Sequence, residues 1–142
     1  MIEKKNFYIN GKWESPSKPN NFEVIDPSTE EPFAIISLGS TKDADDAINA
    51  AKIAFETWRE TSKQERLELL EKFDEIYNRR WDEMVKAQST EMGAPLDFAS
   101  ETHTKMGADI SKNTLKILKD FNFEHEFDPK SNNHIRYEPI GV

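Results

Sequence analysis

The first 38 residues contain short runs in which apolar and polar side chains alternate, which is the pattern of strands with one buried face. Residues 7–13 have the pair Asn10-Gly11 at their centre, and this pair favours a two-residue hairpin turn because both residues tolerate a positive φ. Residues 22–26 predict a strand that ends at a proline, and residues 33–38 predict a second strand of the same sheet. We therefore expect a hairpin followed by a small sheet.

Apolar positions recur at spacings of three and four from residue 40 onwards, which predicts helices. The first helix begins at the cap candidates Ser40 and Thr41, and acidic residues follow where a helix N-terminus favours negative charge. The second begins at Ser62, which is expected to form a capping box with Glu65. Each helix carries one apolar stripe.

Two further helices are predicted after residue 80. A short third helix is expected to end at Gly93, which can adopt the left-handed conformation, and Pro95 prevents its continuation. The fourth runs from about residue 100 to residue 121. It contains Gly107, which costs about 1 kcal/mol against alanine and so indicates close packing against a neighbour.

The C-terminal residues change character again. Residues 122–133 are polar and contain a proline, which predicts a connector, and residues 134–142 predict a strand with nothing after it to pair with. The fold class is therefore α+β, with an N-terminal hairpin and strands, about four helices and one C-terminal strand. We divide the chain into residues 1–125, which hold the hairpin, strands and helices, and residues 126–142, which hold the connector and the last strand.

The composition limits the classes of function. Hydrophobic residues make up 36% of the 142 residues, against about 45–50% in typical globular chains, so few are left for an independent core. The net charge of −8, without a basic stripe, argues against nucleic-acid binding. With no cysteine, these residues offer no disulfide, thiolate metal site or cysteine nucleophile. No apolar run approaches the roughly 18 residues of a membrane span and no signal-peptide core is present, so we expect a cytoplasmic protein.

Local motifs do not reveal a catalytic centre. His103, His125 and His134 lie too far apart for a local metal motif, and structural or surface roles are expected for them. The acids within residues 43–46 fall in the first turn of a predicted helix, where they interact favourably with the helix dipole. The glycines are too widely separated for a phosphate-binding loop. These patterns alone predict an acidic, helix-rich α+β domain.

The order of five segments carries more information than any one of them. They are "FYINGKW", the run from "VIDP" to "FETW" at residues 24–58, the helix at residues 66–76, "STEMGAP" and "RYEPIGV". In this order they resemble the N-terminal third of the aldehyde dehydrogenase superfamily, and the resemblance covers nearly the whole chain.

This resemblance implies a chemistry that these residues cannot complete. In the family, a cysteine attacks the aldehyde, hydride passes to NAD or NADP, and a glutamate-activated water hydrolyses the thioester to the carboxylic acid. The residues that do this are expected beyond Val142, so this chain by itself is expected to be inactive and to bind no cofactor. It resembles an N-terminal fragment of an NAD(P)-dependent aldehyde dehydrogenase. Its expected partners are the remainder of that fold and other copies, joined through the C-terminal strand of an oligomerisation sheet.

The resemblance also suggests two sites within this chain. Some family members bind a monovalent cation through a backbone carbonyl and an acid, and these positions match Ile25 and Glu91; alternatively, Glu91 caps or pairs on the surface. The family's substrate tunnel is partly walled by a helix that matches Met106 and Ile110; alternatively, both are core residues on an apolar stripe.

A second functional class remains open. A truncated, non-catalytic relative could serve as an oligomerisation or interaction module, because an unpaired apolar strand is a template for strand addition. In that class, self-association through the last strand is the function.

Overall fold

Strands at both ends of the chain flank a block of helices in the computed structural model, which describes residues 1–128, 130 and 133–141. In chain order the elements are β1 (Ile2–Lys4), β2 (Phe7–Ile9), β3 (Lys12–Glu14), β4 (Asn21–Asp26), β5 (Glu31–Ser37), α1 (Thr41–Trp58), α2 (Lys63–Arg79), α3 (Trp81–Met92), α4 (Leu96–Phe98), a π-helical segment (Ala99–Thr104), α5 (Lys105–Asp120), β6 (Glu124–Asp128) and β7 (Asn133–Arg136). The predicted α+β class is confirmed.

The three-stranded sheet is built around β5, the strand with the most buried residues. β4 pairs with it antiparallel, which confirms that the two predicted strands belong to one sheet. A bulge lies between Val24 and Ile25. β1 pairs with its other edge in parallel. The sequence gives no signal for β1, because this strand has three residues and all of them are exposed.

The predicted hairpin is confirmed as β2 and β3, which pair antiparallel with Ile9 opposite Lys12. Asn10 and Gly11 at the turn have φ values of 52° and 76°, both in the left-handed region that this turn requires. Local sequence is sufficient here because two consecutive residues set the turn.

The helix starts are also confirmed. Ser40 caps α1 in a capping box with Asp43, and Ser62 caps α2 in a capping box with Glu65. α3 ends at Gly93, whose φ of 69° is left-handed as predicted.

The fourth predicted helix begins earlier than expected and is not uniform. Helical structure starts at Leu96, next to Pro95, and passes through the π-helical segment before α5 begins at Lys105. α5 packs antiparallel against α2: Lys63 Nζ donates to the carbonyls of Lys119 and Phe121 at 2.7 and 3.0 Å. Apolar spacing does not reveal the π-helical segment, since the apolar stripe continues on both sides of it.

The predicted connector at residues 122–133 is wrong in part, because β6 lies within it and pairs antiparallel with β7. The C-terminal strand is therefore paired on one side. It ends at Arg136, and residues 137–141 lie outside any strand. β6 could not be predicted from the sequence, because its first four residues are exposed and three of them are polar. No pattern of buried apolar residues therefore indicates the strand. Residues 129, 131, 132 and 142 of the predicted connector and strand lie outside the described residues.

Burial is low throughout the described part of the chain. The buried hydrophobic residues are Ala34, Leu67, Ala94, Ala99 and Ala108, four of which are alanines. Large side chains such as Ile53 and Ile117 are 75% and 65% exposed. The accessible surface is 10890 Å². A folded monomer of 16.4 kDa is expected to expose about 7,500 Å², so the chain leaves far more surface uncovered than a self-contained domain does.

One buried carboxylate joins the loop before β4 to the start of α1. Asp43, 8% exposed, accepts hydrogen bonds from the backbone N–H of Ser17, the backbone N–H of Ser40 and the Ser40 hydroxyl, each at 2.8 Å. The backbone hydrogen bonds from Ser17 and Ser40 lower the pKa of Asp43 to about 2. Asp43 is thus part of the fold and not of a metal-binding acidic cluster.

We expect Asp43 to make the folded protein acid-sensitive. Its pKa is lower in the folded chain than the usual 3.8, so its stabilising contribution is present above pH 3.8 and is lost as the pH falls towards 2. The Asp43→Asn variant should be less stable than the parent at about pH 6 and should lack this loss in acid. Urea unfolding at a series of pH values measures both effects. Asp45→Asn, in the same helical turn but exposed, is the matched control, and equal pH profiles for the two variants would contradict the assignment.

Candidate functional site

The two residues of the expected cation site lie on neighbouring elements. Ile25 is near the end of β4 and Glu91 is in the last turn of α3, and these two elements are in contact. The two segments also meet just beyond these residues, where a Cβ placed on Gly93 would lie 2.9 Å from Pro27 Cγ. The structure therefore brings the two segments together, with Ile25 44% exposed and Glu91 also exposed.

The backbone around Ile25 departs from a regular ladder. The bulge places Ile25 opposite Pro32, and proline has no N–H to donate to a neighbouring carbonyl. Glu91 forms no ion pair with any residue that the structure describes. A carbonyl near a ladder defect and an unpaired carboxylate are the oxygen donors that a hard cation prefers.

The two expected tunnel residues lie one turn apart on α5. Met106 and Ile110 are 57% and 58% exposed, so neither is a core residue in this chain. The buried side of the helix is made instead by Ala108 and Ser111. Met106, Ile110 and the exposed Ile117 form an apolar edge that the described residues leave uncovered.

His103 lies on a different element from the other two histidines, whereas His125 and His134 lie on the paired strands β6 and β7. His103 lies in the π-helical segment, where its ring contacts Phe98 edge-on at 4.9 Å. His125 stacks on Tyr137 at 5.8 Å in the C-terminal hairpin. Within the described ranges, no three His, Cys, Asp or Glu residues are placed to hold a metal ion.

One polar contact near the expected tunnel residues could not be predicted from the sequence. Tyr77 belongs to the apolar stripe of α2, but its hydroxyl donates to the Thr104 carbonyl at 3.1 Å. Gly107 makes room for it, since a Cβ on Gly107 would overlap the Tyr77 hydroxyl and lie 2.9 Å from Cζ. The glycine was the available signal: the close packing predicted for it is confirmed, but its partner could not be predicted.

The comparisons with known proteins agree with this architecture. A family model described as "Aldehyde dehydrogenase family" matches residues 13–142. The chain belongs to the aldehyde dehydrogenase family.

Three relatives illustrate how much of an aldehyde dehydrogenase this chain represents. A 3-succinoylsemialdehyde-pyridine dehydrogenase from a Pseudomonas species is 38% identical over 143 residues, which cover 100% of this chain and 29% of the relative. The crystal structure of an aldehyde dehydrogenase from Bartonella henselae is 51% identical with a TM-score of 0.90, over 93% of this chain and 28% of that one. A mutant of aldehyde dehydrogenase C from Pseudomonas syringae, solved with NAD+ and octanal, is 31% identical with a TM-score of 0.85. The match covers 87% of this chain and 26% of that one.

The chain therefore spans less than a third of the length of these aldehyde dehydrogenases. In the part of the chain that the structure describes, no helix has the length and apolar character needed to cross a membrane.

We expect Gly93 to be needed for the approach of α3 to the end of β4. Gly93→Ala forces a side chain into the left-handed region, at about 1 kcal/mol or more, and adds the contact with Pro27. Gly11→Ala is the matched control, because Gly11 also has a positive φ but has no atom within 4 Å of a built Cβ. Denaturant unfolding should show a larger loss of stability for Gly93→Ala. Equal losses would mean that the Pro27 contact contributes nothing.

Proposed function

We propose that this chain is the N-terminal section of an NAD(P)-dependent aldehyde dehydrogenase and that its own role is architectural. The observation that carries the proposal is the uncovered surface. The chain exposes 10890 Å², about 3,400 Å² more than a folded monomer of its mass. One partner of a standard protein interface contributes only about 800 Å². An excess about four times larger suits a section whose helix faces are covered by the rest of its own fold.

The chemistry of the family supports the same division of labour. Oxidation of an aldehyde through a thioester requires a cysteine nucleophile, and these 142 residues contain none. In the whole enzyme, the cysteine, the glutamate that activates water and the donors to the oxyanion would come from outside this section. The section would hold the substrate-binding helix and the packing surfaces in place.

The helix N-termini of this section do not fit a dinucleotide. A phosphate binds at a helix N-terminus through free backbone N–H groups, and a negative side chain there competes with it. In α1 and α2 the carboxylates of Asp43 and Glu65 occupy this place, and Asp82 and Glu83 lie in the first turn of α3. NAD or NADP would therefore be held by the remainder of the enzyme, and no step of the reaction is assigned to these residues.

Two sites in this section would serve the whole enzyme. Met106 and Ile110 would contact the aldehyde, a role supported by their exposure on one edge of α5. Ile25, through its carbonyl, and Glu91 would hold a monovalent cation, a role supported by the bulge opposite Pro32 and by the unpaired carboxylate.

Assembly into a homo-oligomer would use the C-terminal hairpin. β6 and β7 form a two-stranded sheet whose outer edges are unpaired among the described residues, and unpaired edges accept further strands. Beyond β7, Ile140 is 98% exposed. A stand-alone interaction module is the weaker function, because one strand edge covers little of the uncovered helix surface.

We expect activity only when this section is joined to a complementary one. The test protein is a fusion enzyme, in which this chain replaces the matching section of the Bartonella henselae aldehyde dehydrogenase. It should reduce NAD+ or NADP+ in the presence of an aldehyde, as followed by the absorbance of the reduced cofactor. The same Bartonella protein without its matching section should be inactive, and so should this chain alone.

Two results would contradict this proposal. One is a fusion enzyme that is folded by circular dichroism and binds NAD+ but oxidises no aldehyde. The other is tight NAD+ binding by this chain alone in a calorimetric titration, since the proposal places the dinucleotide site elsewhere.

A further inference from the structure

The π-helical segment determines the direction in which the following side chains point. Each residue of an α-helix turns the chain by about 100°, so one extra residue in a turn rotates everything after it by about that angle. The π-helical segment ends at Thr104, and Met106 and Ile110 follow within the next two turns. If the segment relaxed to a regular α-helix, these two side chains would leave their present edge of α5.

Both ends of the π-helical segment are held from outside. At its start, the Trp81 indole N–H donates to Ser100 Oγ at 3.1 Å. At its end, the Tyr77 hydroxyl donates to the carbonyl of Thr104, a residue with 0% exposure. Tyr77 is in the last turn of α2 and Trp81 opens α3, so two adjacent helices hold the segment together.

The second of these contacts depends on Gly107. The Tyr77 ring lies against the backbone of Gly107, in the space that any larger residue would fill with its Cβ. Phe73, one turn earlier on α2, lies beside the Tyr77 ring, with 6.1 Å between the two ring centroids. The hydroxyl is thus directed at one carbonyl by packing on two sides.

We propose that the hydrogen bond from Tyr77 to Thr104, for which Gly107 leaves room, holds the π-helical segment in place and so determines which aldehydes the whole enzyme accepts. We call this contact the lock. The lock fixes the rotational position of Met106 and Ile110 without touching the substrate, so Tyr77 is a positioning residue. This inference rests on the proposed function, which places those two side chains in the substrate tunnel.

The test uses the fusion enzyme with conservative variants. Tyr77→Phe removes only the hydroxyl, and Gly107→Ala fills the space that the hydroxyl occupies. Tyr8→Phe is the matched control, because Tyr8 is 63% exposed on β2, far from this segment in the chain. Ile110→Trp alters the tunnel directly and shows how large a change in substrate preference the assay can report.

Two readouts separate the lock from its consequence. Hydrogen exchange of the amides in residues 99–110 reports whether the segment is held, independently of activity. The ratio of kcat/KM for octanal to that for acetaldehyde reports substrate preference, with kcat and KM determined separately. In Tyr77→Phe we expect faster exchange and a change of about fivefold in this ratio, mostly through KM, since one hydrogen bond contributes about 1 kcal/mol. Gly107→Ala should act in the same direction, and Tyr8→Phe should change neither readout.

Unchanged exchange in Tyr77→Phe would overturn the lock. Faster exchange with an unchanged ratio would overturn its role in substrate preference, provided that Ile110→Trp shifts the ratio. A fusion enzyme that is folded and binds NAD+ but is inactive would contradict the proposed function instead. The exchange data would then decide the lock alone, with faster exchange in Tyr77→Phe supporting it and unchanged exchange overturning it.

Discussion

Very little apolar surface is buried within this chain, and most other features of the structure follow from that. Four of the five buried hydrophobic residues are alanines, while isoleucines, leucines and phenylalanines on the helices stay partly in water. Burial of apolar area is the main favourable term in folding, at roughly 25 cal/mol per Å². A chain that buries so little of it gains correspondingly little stability from its own core. The helices leave apolar faces uncovered, and in the function that we propose the remainder of a longer dehydrogenase covers them.

Local polar contacts compensate in part for the missing core. Capping boxes close the N-termini of α1 and α2, and Asp43 joins the loop before β4 to the start of α1. Lys63, at the start of α2, donates to two backbone carbonyls at the end of α5 and so joins these two helices. These contacts define each element and the angle between neighbours, but they do not replace apolar burial. They keep the exposed faces in a fixed arrangement for another surface to cover.

The sequence predicts the structure correctly where a few adjacent residues determine it. The Asn10-Gly11 turn and the left-handed Gly93 depend on residues that are close in the chain, so their patterns are sufficient. β6 was missed because strand pairing with β7 determines it and its own residues are mostly exposed and polar. The π-helical segment was missed for a similar reason, since its anchors, Tyr77 and Trp81, belong to other helices.

The candidate sites were predictable only to the same extent. Resemblance to a family selected Met106 and Ile110, and periodicity alone would have placed them in a core. Both side chains are exposed in this chain, and their place in the substrate tunnel stays a prediction. The Tyr77 hydroxyl could not be assigned from sequence, because its acceptor is a backbone carbonyl 27 residues away, and a carbonyl leaves no signature in the residue type.

Hydroxyl-radical footprinting of this chain alone and within the fusion enzyme shows whether the rest of a dehydrogenase covers the exposed helix faces. The side chains to follow are Met92 and Ile117, which are 63% and 65% exposed on α3 and α5. If the rest of a dehydrogenase covers these helices, both residues should be readily modified in the chain alone and protected in the fusion enzyme. Equal modification in the two proteins would contradict the claim that the uncovered surface is a packing surface for the remainder of the fold.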